Sequence, residues 1–372
     1  MKKHWVHDYE TLSNCFVGVF EHYKEDEKHV FIIHKSKNDV KILLDFLEVN
    51  RINGEWHISF NGLNFDSQIT EYLIRNQRQL LTMTGEEVAR SIYEVAQQVI
   101  AKTNAGEFLE FSERDLSIKQ VDVFKLNHWD NPAKRSSLKW IQYSMDWYNI
   151  QDMPIHHTTE IETQEQLDII VSYCINDVKS TKQILHISKD QVALRKTLTS
   201  DYNIPLFSAS EPRIAKELFL LFLSQKTRMK KWDIKQLRTY RQSIQVKDII
   251  LPYIQFETPE FKGLLSKFQE VVVDPNNTKG GFKYSFVYKG VKTDFGLGGV
   301  HGAIDSGIYE SGKGMIIMTS DVTSFYPNLA IRNKWSPAHL PKEEFCELYE
   351  WFFEERKKIP KKDPKNYVYK II

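Results

Sequence analysis

Three groups of carboxylates stand at spacings that could do metal-assisted chemistry. Asp8-Tyr9-Glu10 puts two acids on one side of an expected strand, because side chains two apart share a face. Such a pair at a strand end suits a divalent cation, although a triplet of this kind arises by chance about once or twice in a chain this long. Asn61 and the Phe65-Asp66 pair follow a predicted strand and open a helix, which offers a third carboxylate. Tyr173 and Asp177, four apart on a predicted helix, face the same way. Taken singly, each is more often a surface acid or a helix cap. Taken together they form a hard-oxygen donor set without nearby Cys or His, which favours Mg²⁺ or Mn²⁺ over Zn²⁺.

The elements that must position these acids are legible from periodicity. Trp5–Glu10, Phe16–Tyr23 and His29–His34 alternate apolar with polar or small residues, which predicts a meander of three strands. Ser36 and Asp39 mark a helix start, and Val40–Val49 carries helical apolar spacing. Trp56–Phe60 is a further short strand that ends in the turn-prone Asn61-Gly62. Thr84 with Glu87 fits a capping box for a helix through Ile100. Ile118–Leu126 is predicted as a strand with Asp122 on it, Ser136–Trp147 as a helix, and Gln164–Thr197 as one or two long helices. Strands alternating with helices imply an α/β layer fold.

Beyond Ser200 the pattern changes. Glu211–Ser224 is an apolar helix, and Phe282–Phe295 is a hairpin turning near Gly290. The turn Gly312-Lys313-Gly314 leads into Met315–Val322, apolar on both sides of its pleat and so expected as a central strand. This part is expected to be an antiparallel sheet with attached helices. At 372 residues the chain exceeds one ordinary core and implies two or three domains. The longest apolar run, Leu218–Leu223, falls far short of the roughly 18 residues a membrane span needs. Cys15, Cys174 and Cys346 lie far apart and form neither a disulfide framework nor a zinc-ligand spacing, which suits a reducing cytoplasm. A net charge of +1 hides segregation: seven basic residues against one acid between Arg356 and Lys370, and six against one between Lys226 and Arg238. Such patches fit a polyanion partner or, equally, a solvated helix face.

In this order the acids resemble the proofreading exonuclease domain of family B DNA polymerases. That family's motifs Asp-x-Glu, Asn-x3-Phe-Asp and Tyr-x3-Asp correspond to Asp8-Tyr9-Glu10, to Asn61 through Phe65-Asp66, and to Tyr173 through Asp177. Asp321-Val322-Thr323-Ser324-Phe325-Tyr326-Pro327 resembles the family's first polymerase motif, with Phe325 at a leucine position. The likeness spans essentially the whole chain and is closest to bacteriophage enzymes. It implies a ribonuclease H-like exonuclease domain over 1–200, linker helices and a partial α+β palm over 201–335, and the start of helical fingers over 336–372. It implies 3′→5′ hydrolysis of single-stranded DNA ends with two Mg²⁺ or Mn²⁺ ions, which supply a hydroxide, neutralise the phosphate and stabilise the leaving oxygen. Asp8 would bridge the ions, with Glu10, Asp66 and Asp177 completing the sites. Tyr173 would orient water, Asn61 and Phe65 would touch the frayed strand, and Lys139 would assist hydrolysis or be a plain surface lysine. Asp122 is a candidate fifth acid or a structural one.

For synthesis, the resemblance implies that Asp321 and the Val322 carbonyl hold metal, that Ser324 and Phe325 amides meet the dNTP triphosphate, and that Tyr326 stacks under the sugar. Arg356 matches the fingers arginine and Lys370 the lysine that opens the second polymerase motif. Phe295-Gly296-Leu297-Gly298-Gly299 resembles a Tyr-x-Gly-Gly segment that contacts template, with no tyrosine at the aligned position; Gly298 and Gly299 would approach primer-template DNA. The match stops two residues after Lys370, before the motif that carries the second catalytic aspartate. The expectation is therefore a polymerase portion completed by a second polypeptide, with protein priming disfavoured because only 49 positions separate Asp321 from Lys370. A stand-alone exonuclease that grips DNA with a palm remnant, and a non-catalytic DNA-binding subunit, are the competing expectations.

Overall fold

The alternation in the first strands is realised as an antiparallel meander. β1 (His4–Leu12), β2 (Cys15–His22) and β3 (Lys28–His34) pair in succession, and the short β4 (Lys37–Asn38) edges β3. After α1 (Val40–Asn53), β5 (Trp56–Ser59) joins the other side of β1 in parallel. β6 (Lys119–Asp122) then joins β5 in parallel, which gives the order β4-β3-β2-β1-β5-β6. The computed structural model describes residues 3–131, 133, 135–275, 282–296, 298–312 and 314–372, with the side chains of 364 and 365 outside that description. Leu297 and Lys313, each within a segment singled out above, lie outside the described residues.

Helices cover both faces of this mixed sheet, so the fold is α/β. α1, α2 (Asp66–Arg75), α3 (Gln77–Leu80) and α4 (Gly85–Ala105) send Leu43, Leu47, Ile69, Leu73, Leu80 and Ile92 into one core with Trp5, Tyr9, Phe16 and Phe20. On the opposite face, α7 (Gln164–Ile187) lays Leu167, Ile170, Cys174 and Val178 on Val6, Val17, Val19 and Ile58. Each such Leu, Ile or Phe contributes about 1.5–3 kcal/mol when fully buried. The period of two along β1 decides which residues meet which layer. Trp5 and Tyr9 enter the α1–α4 side; Val6 and Leu12 enter the α7 side, and Asp8 and Glu10 go with them. Capping boxes start both principal helices: Thr84 with Glu87 on α4, and Thr163 with Gln166 on α7.

Two local expectations are corrected in this unit. The strand expected over Ile118–Leu126 ends at Asp122, whose carboxylate accepts from Phe124 N at 3.0 Å and caps the short α5 (Val123–Leu126). The helix expected over Ser136–Trp147 is confined to α6 (Leu138–Ser144), capped by Ser137. The long helical stretch divides at Ser188 into α7 and α8 (Lys189–Tyr202). Arg195 of α8 is fully buried and donates to the carbonyls of Leu126 and Ala209, both at 2.8 Å, which fixes the chain that follows α8.

The chain forms two compact units, Met1–Leu220 with Glu355–Ile372, and Leu221–Glu354. α9 (Glu211–Thr227) and α13 (Lys342–Lys358) each contribute to both, and α14 (Pro364–Ile371) belongs to the first. Within the second unit the expected hairpin is present: β9 (Lys283–Tyr288) and β10 (Val291–Gly296) turn at Gly290, whose φ of 79° favours glycine. β11 (Gly299–Ala303) extends it to three strands. Met315–Val322 is not the expected central strand. A stretch apolar on both faces becomes a strand only where neighbours take its backbone groups and cover its side chains. Among the described residues none pairs as a strand with 316–322, and Ile316 and Met318 are 80% and 84% exposed. No described helix is long and apolar enough to cross a membrane.

His7 of β1 is sealed in the α1–α4 layer, stacked on Phe20 at 5.1 Å between ring centroids. Burial pushes its imidazole down to about 3 from an ordinary value of 6.5. A base held neutral in the fold is protonated only in the unfolded chain between those values, so the stability it allows is lost as pH falls from 6.5 toward 3. His7→Phe, which keeps a ring at this position, should gain stability over the native chain as pH drops from 7.5 to 5, by on the order of 2 kcal/mol. Paired thermal melts at the two pH values that differ by a constant offset would discard this explanation.

Candidate active site

The first unit brings four of the singled-out carboxylates to one place. Asp8 and Glu10 project from β1 toward α7 and are half-buried. Asp66 opens α2 and is buried; Asp177 sits mid-way along α7 and is buried as well. Each acid is held above its ordinary value, first of all by burial. Asp66, Glu10 and Asp177 raise Asp8, whereas Asp177 and Asp66 raise Glu10. Burial and the nearby Asp122 carboxylate push Asp66 up to about 7. Asp177 is also raised by burial, against the opposing pull of Gln142 and Tyr173 hydrogen bonds. Like charges gathered in a poorly solvated place cannot all ionise unless a cation joins them.

The residues fit such a cation. One oxygen of Asp66 is buried without a hydrogen-bond partner, an orphan that a metal ion would satisfy. Ligand atoms of Asp8, Glu10 and Cys174 lie within 4.8 Å of one another. Cys174 departs from the expectation of a donor set without nearby Cys or His. Burial keeps the Cys174 thiol well above its usual range, and it donates to the Asp8 carbonyl at 3.4 Å. A protonated thiol is no ligand for a hard ion, so carboxylate oxygens remain the donors, as Mg²⁺ or Mn²⁺ prefers.

Backbone geometry explains how the acids are aimed. Asn61, at a left-handed φ of 64°, begins a single 3₁₀ turn over Gly62–Asn64 that delivers Phe65 and Asp66 to the start of α2. A side chain at Gly62 would come within 1.8 Å of Ser59 Oγ, so the turn requires glycine. Asp122 organises this turn: its carboxylate accepts from Asn61 N at 2.9 Å and Leu63 N at 3.2 Å, besides capping α5. With its oxygens so engaged, Asp122 is a structural acid. On the far side of β1, the Tyr9 hydroxyl is 2.8 Å from Thr70 Oγ1 and ties the strand bearing Asp8 to the helix bearing Asp66.

Around Asp177 the structure adds partners. Tyr173 is hydrogen-bonded to it, and burial together with Asp177 and Glu10 raises the phenol, so the hydroxyl keeps its proton. Lys139 of α6 lowers Asp177 through its charge and is also paired with Asp152. Gln142, not anticipated from the sequence, donates to Asp177 Oδ1 at 2.9 Å and Ser180 Oγ at 2.8 Å. Its signal was available: it follows Lys139 by three on a helix and so shares its side.

The residues singled out for synthesis are divided between the two units. Asp321, Val322, Ser324, Phe325 and Tyr326 belong to the second unit, Arg356 and Lys370 to the first. Asp321 follows an exposed unpaired stretch rather than ending a central strand. Ser324 precedes α12 (Phe325–Asn333) at a left-handed φ of 49° without a side-chain capping bond, and Tyr326 is exposed. Gly299 begins β11 at a φ of 141°, with open space where a side chain would sit at both Gly298 and Gly299. No protein-family model matches the chain, and a search of curated proteins finds no match.

The raised carboxylates have a measurable signature. An acid whose folded value lies near 7 rather than 3.8 adds stability below 3.8 and loses it as pH rises to 7. Asp66→Asn in EDTA should therefore match the native chain near pH 4 and exceed it by on the order of 4 kcal/mol at pH 8. Mg²⁺ should then narrow the gap by stabilising only the native chain. A difference that ignores both pH and Mg²⁺ would remove Asp66 from the cluster.

Proposed function

We propose that the first unit is a divalent-metal-dependent 3′→5′ exonuclease acting on single-stranded DNA ends, within a chain of family B DNA polymerase type. The observation that carries this is the convergence of Asp8, Glu10, Asp66 and Asp177, distant in sequence, into one cluster whose repulsion a cation would relieve. A mixed sheet flanked by helices, with acids on its inner strand and on two covering helices, supports the ribonuclease H-like form of the reading. The polymerase part rests on the motif from Asp321 to Pro327, and Arg356, Lys370, Gly298 and Gly299 keep the roles that the resemblance gives them.

Magnesium or manganese, held by Asp8, Glu10, Asp66 and Asp177, would supply an activated water and neutralise charge on the phosphate. The protein's own groups set the geometry around that chemistry. Tyr173, protonated across the working range, holds Asp177 and offers its hydroxyl to an attacking water. Gln142 fixes the Asp177 carboxylate from the other side. Lys139 adds positive charge beside the cluster, where the scissile phosphate brings negative charge. Asn61 and Phe65, on the turn before Asp66, are placed to meet the terminal nucleotides.

Asp8→Ala with Glu10→Ala should lower Mg²⁺-dependent release of 3′ nucleotides by on the order of 10³-fold or more while circular dichroism stays native. Undiminished digestion would refute the assignment. Gln142→Leu should reduce kcat roughly tenfold and leave KM for the oligonucleotide unchanged, as expected of a group that positions Asp177 without touching substrate. A rise in KM alone would instead make Gln142 a substrate contact.

A further inference from the structure

A second feature of the first unit lies on the α7 side of the sheet, toward the other end of β1. There the sheet, α7 and α8 enclose an open cleft of about 1180 Å³ whose rim begins at His4. His4 stands four residues from Asp8, or about 13 Å at ~3.3 Å per residue. The catalytic cluster described above therefore does not line this cleft.

Its lining is unusual in two respects. Five lysines border it, Lys24, Lys179, Lys182, Lys189 and Lys196, against a single acid, Glu21. Lys182 neutralises that acid at 2.5 Å, and the exposed Lys179, Lys189 and Lys196 make no ion pair among the described residues. Five aromatic rings share the wall: Tyr23, Trp56, Trp147, Tyr148 and Phe207. Tyr148 is 75% exposed, and Trp147 beside it donates from Nε1 to Asn176 Oδ1 at 3.0 Å, next to Asp177 on α7. The wall of the cleft thus continues to the residue that precedes a catalytic acid.

We propose that this cleft is an accessory groove for single-stranded DNA, distinct from the hydrolytic cluster and leading to it. The spacing of the cations decides between a strand and a compact nucleotide. Lys189 and Lys196 stand two turns apart on α8, about 10 Å at 1.5 Å per residue, and Lys179 stands on the preceding helix α7, so the unpaired cations are strung along the chain rather than gathered at one point. A row of charges follows an extended phosphate backbone; a triphosphate would need them convergent. An exposed ring, Tyr148, flanked by half-buried ones beside a basic track suits base stacking without sequence readout. The groove would hold nucleotides further along a strand whose 3′ end is being cut. It rests on the nuclease reading only for the identity of that strand, because its test does not involve hydrolysis.

The test is fluorescence anisotropy of a labelled oligo(dT) with the full chain in EDTA over a range of salt. Replacing Lys179, Lys189 and Lys196 together by Gln should weaken binding roughly tenfold and reduce the slope of log K against log salt by about 2, since each phosphate contact on a single strand contributes about 0.7. The corresponding Lys→Arg triple variant should restore both, which separates lost charge from lost fold. Tyr148→Ala should weaken binding severalfold with an unchanged slope. Unaltered affinity and slope in the Gln variant would overturn the groove. So would competition by dTMP as effective as by the oligonucleotide, which would make the cleft a mononucleotide pocket. Lysine-dependent binding in a chain that proves unable to hydrolyse DNA would uphold the groove while removing the nuclease reading.

Discussion

Mutual repulsion among carboxylates that the fold forces together is the constraint on which the first unit turns. β1 is packed between helical layers, and its pleat leaves no choice of face: once Val6 and Leu12 are committed to the α7 side, Asp8 and Glu10 must follow. α2 and α7 then bring two further acids to the same place. Such an arrangement lowers stability unless protons or a cation compensate, and proteins retain it chiefly where the charge is used. The surrounding hydrogen bonds to Asp177 from Gln142 and Tyr173 are consistent with that use, since they favour the ionised form that burial opposes.

The layout of this unit was largely legible because its signals are local and mutually consistent. Alternation located β1, β2, β3 and β5 to within a residue or two, and the capping box at Thr84 marked the start of α4. What escaped notice depends on contacts between distant segments. Gln142 gains meaning only when α6 lies over α7, and Cys174 only when α7 crosses β1. The over-long strand at Ile118–Leu126 failed for a different reason: apolar Val123 and Leu126 are buried equally well in a helical turn, and the Asp122 side chain selects the turn. A short apolar run does not by itself distinguish the two.

In the second unit the same reasoning succeeded for the hairpin and failed for Met315–Val322. A hairpin carries its own instructions, with Gly290 at the turn and a partner strand adjacent in sequence. The stretch before Asp321 had only its hydrophobicity, and that specifies burial without specifying a partner. The residues proposed for synthesis accordingly rest on motif likeness, whereas those proposed for hydrolysis rest on shared electrostatics as well.

The hydroxyl of Tyr9 meeting Thr70 on the back of the sheet has a consequence for how lesions in this protein would be interpreted. It acts as a spacer between the two chain segments that carry Asp8 and Asp66, and it is embedded in the oily layer formed with Phe16, Phe20 and Ile69. A repacking defect there could widen the gap between the acids by a fraction of an ångström without unfolding anything. In a genetic screen such a change would masquerade as damage to the proposed reaction centre, although every carboxylate of the cluster remained intact.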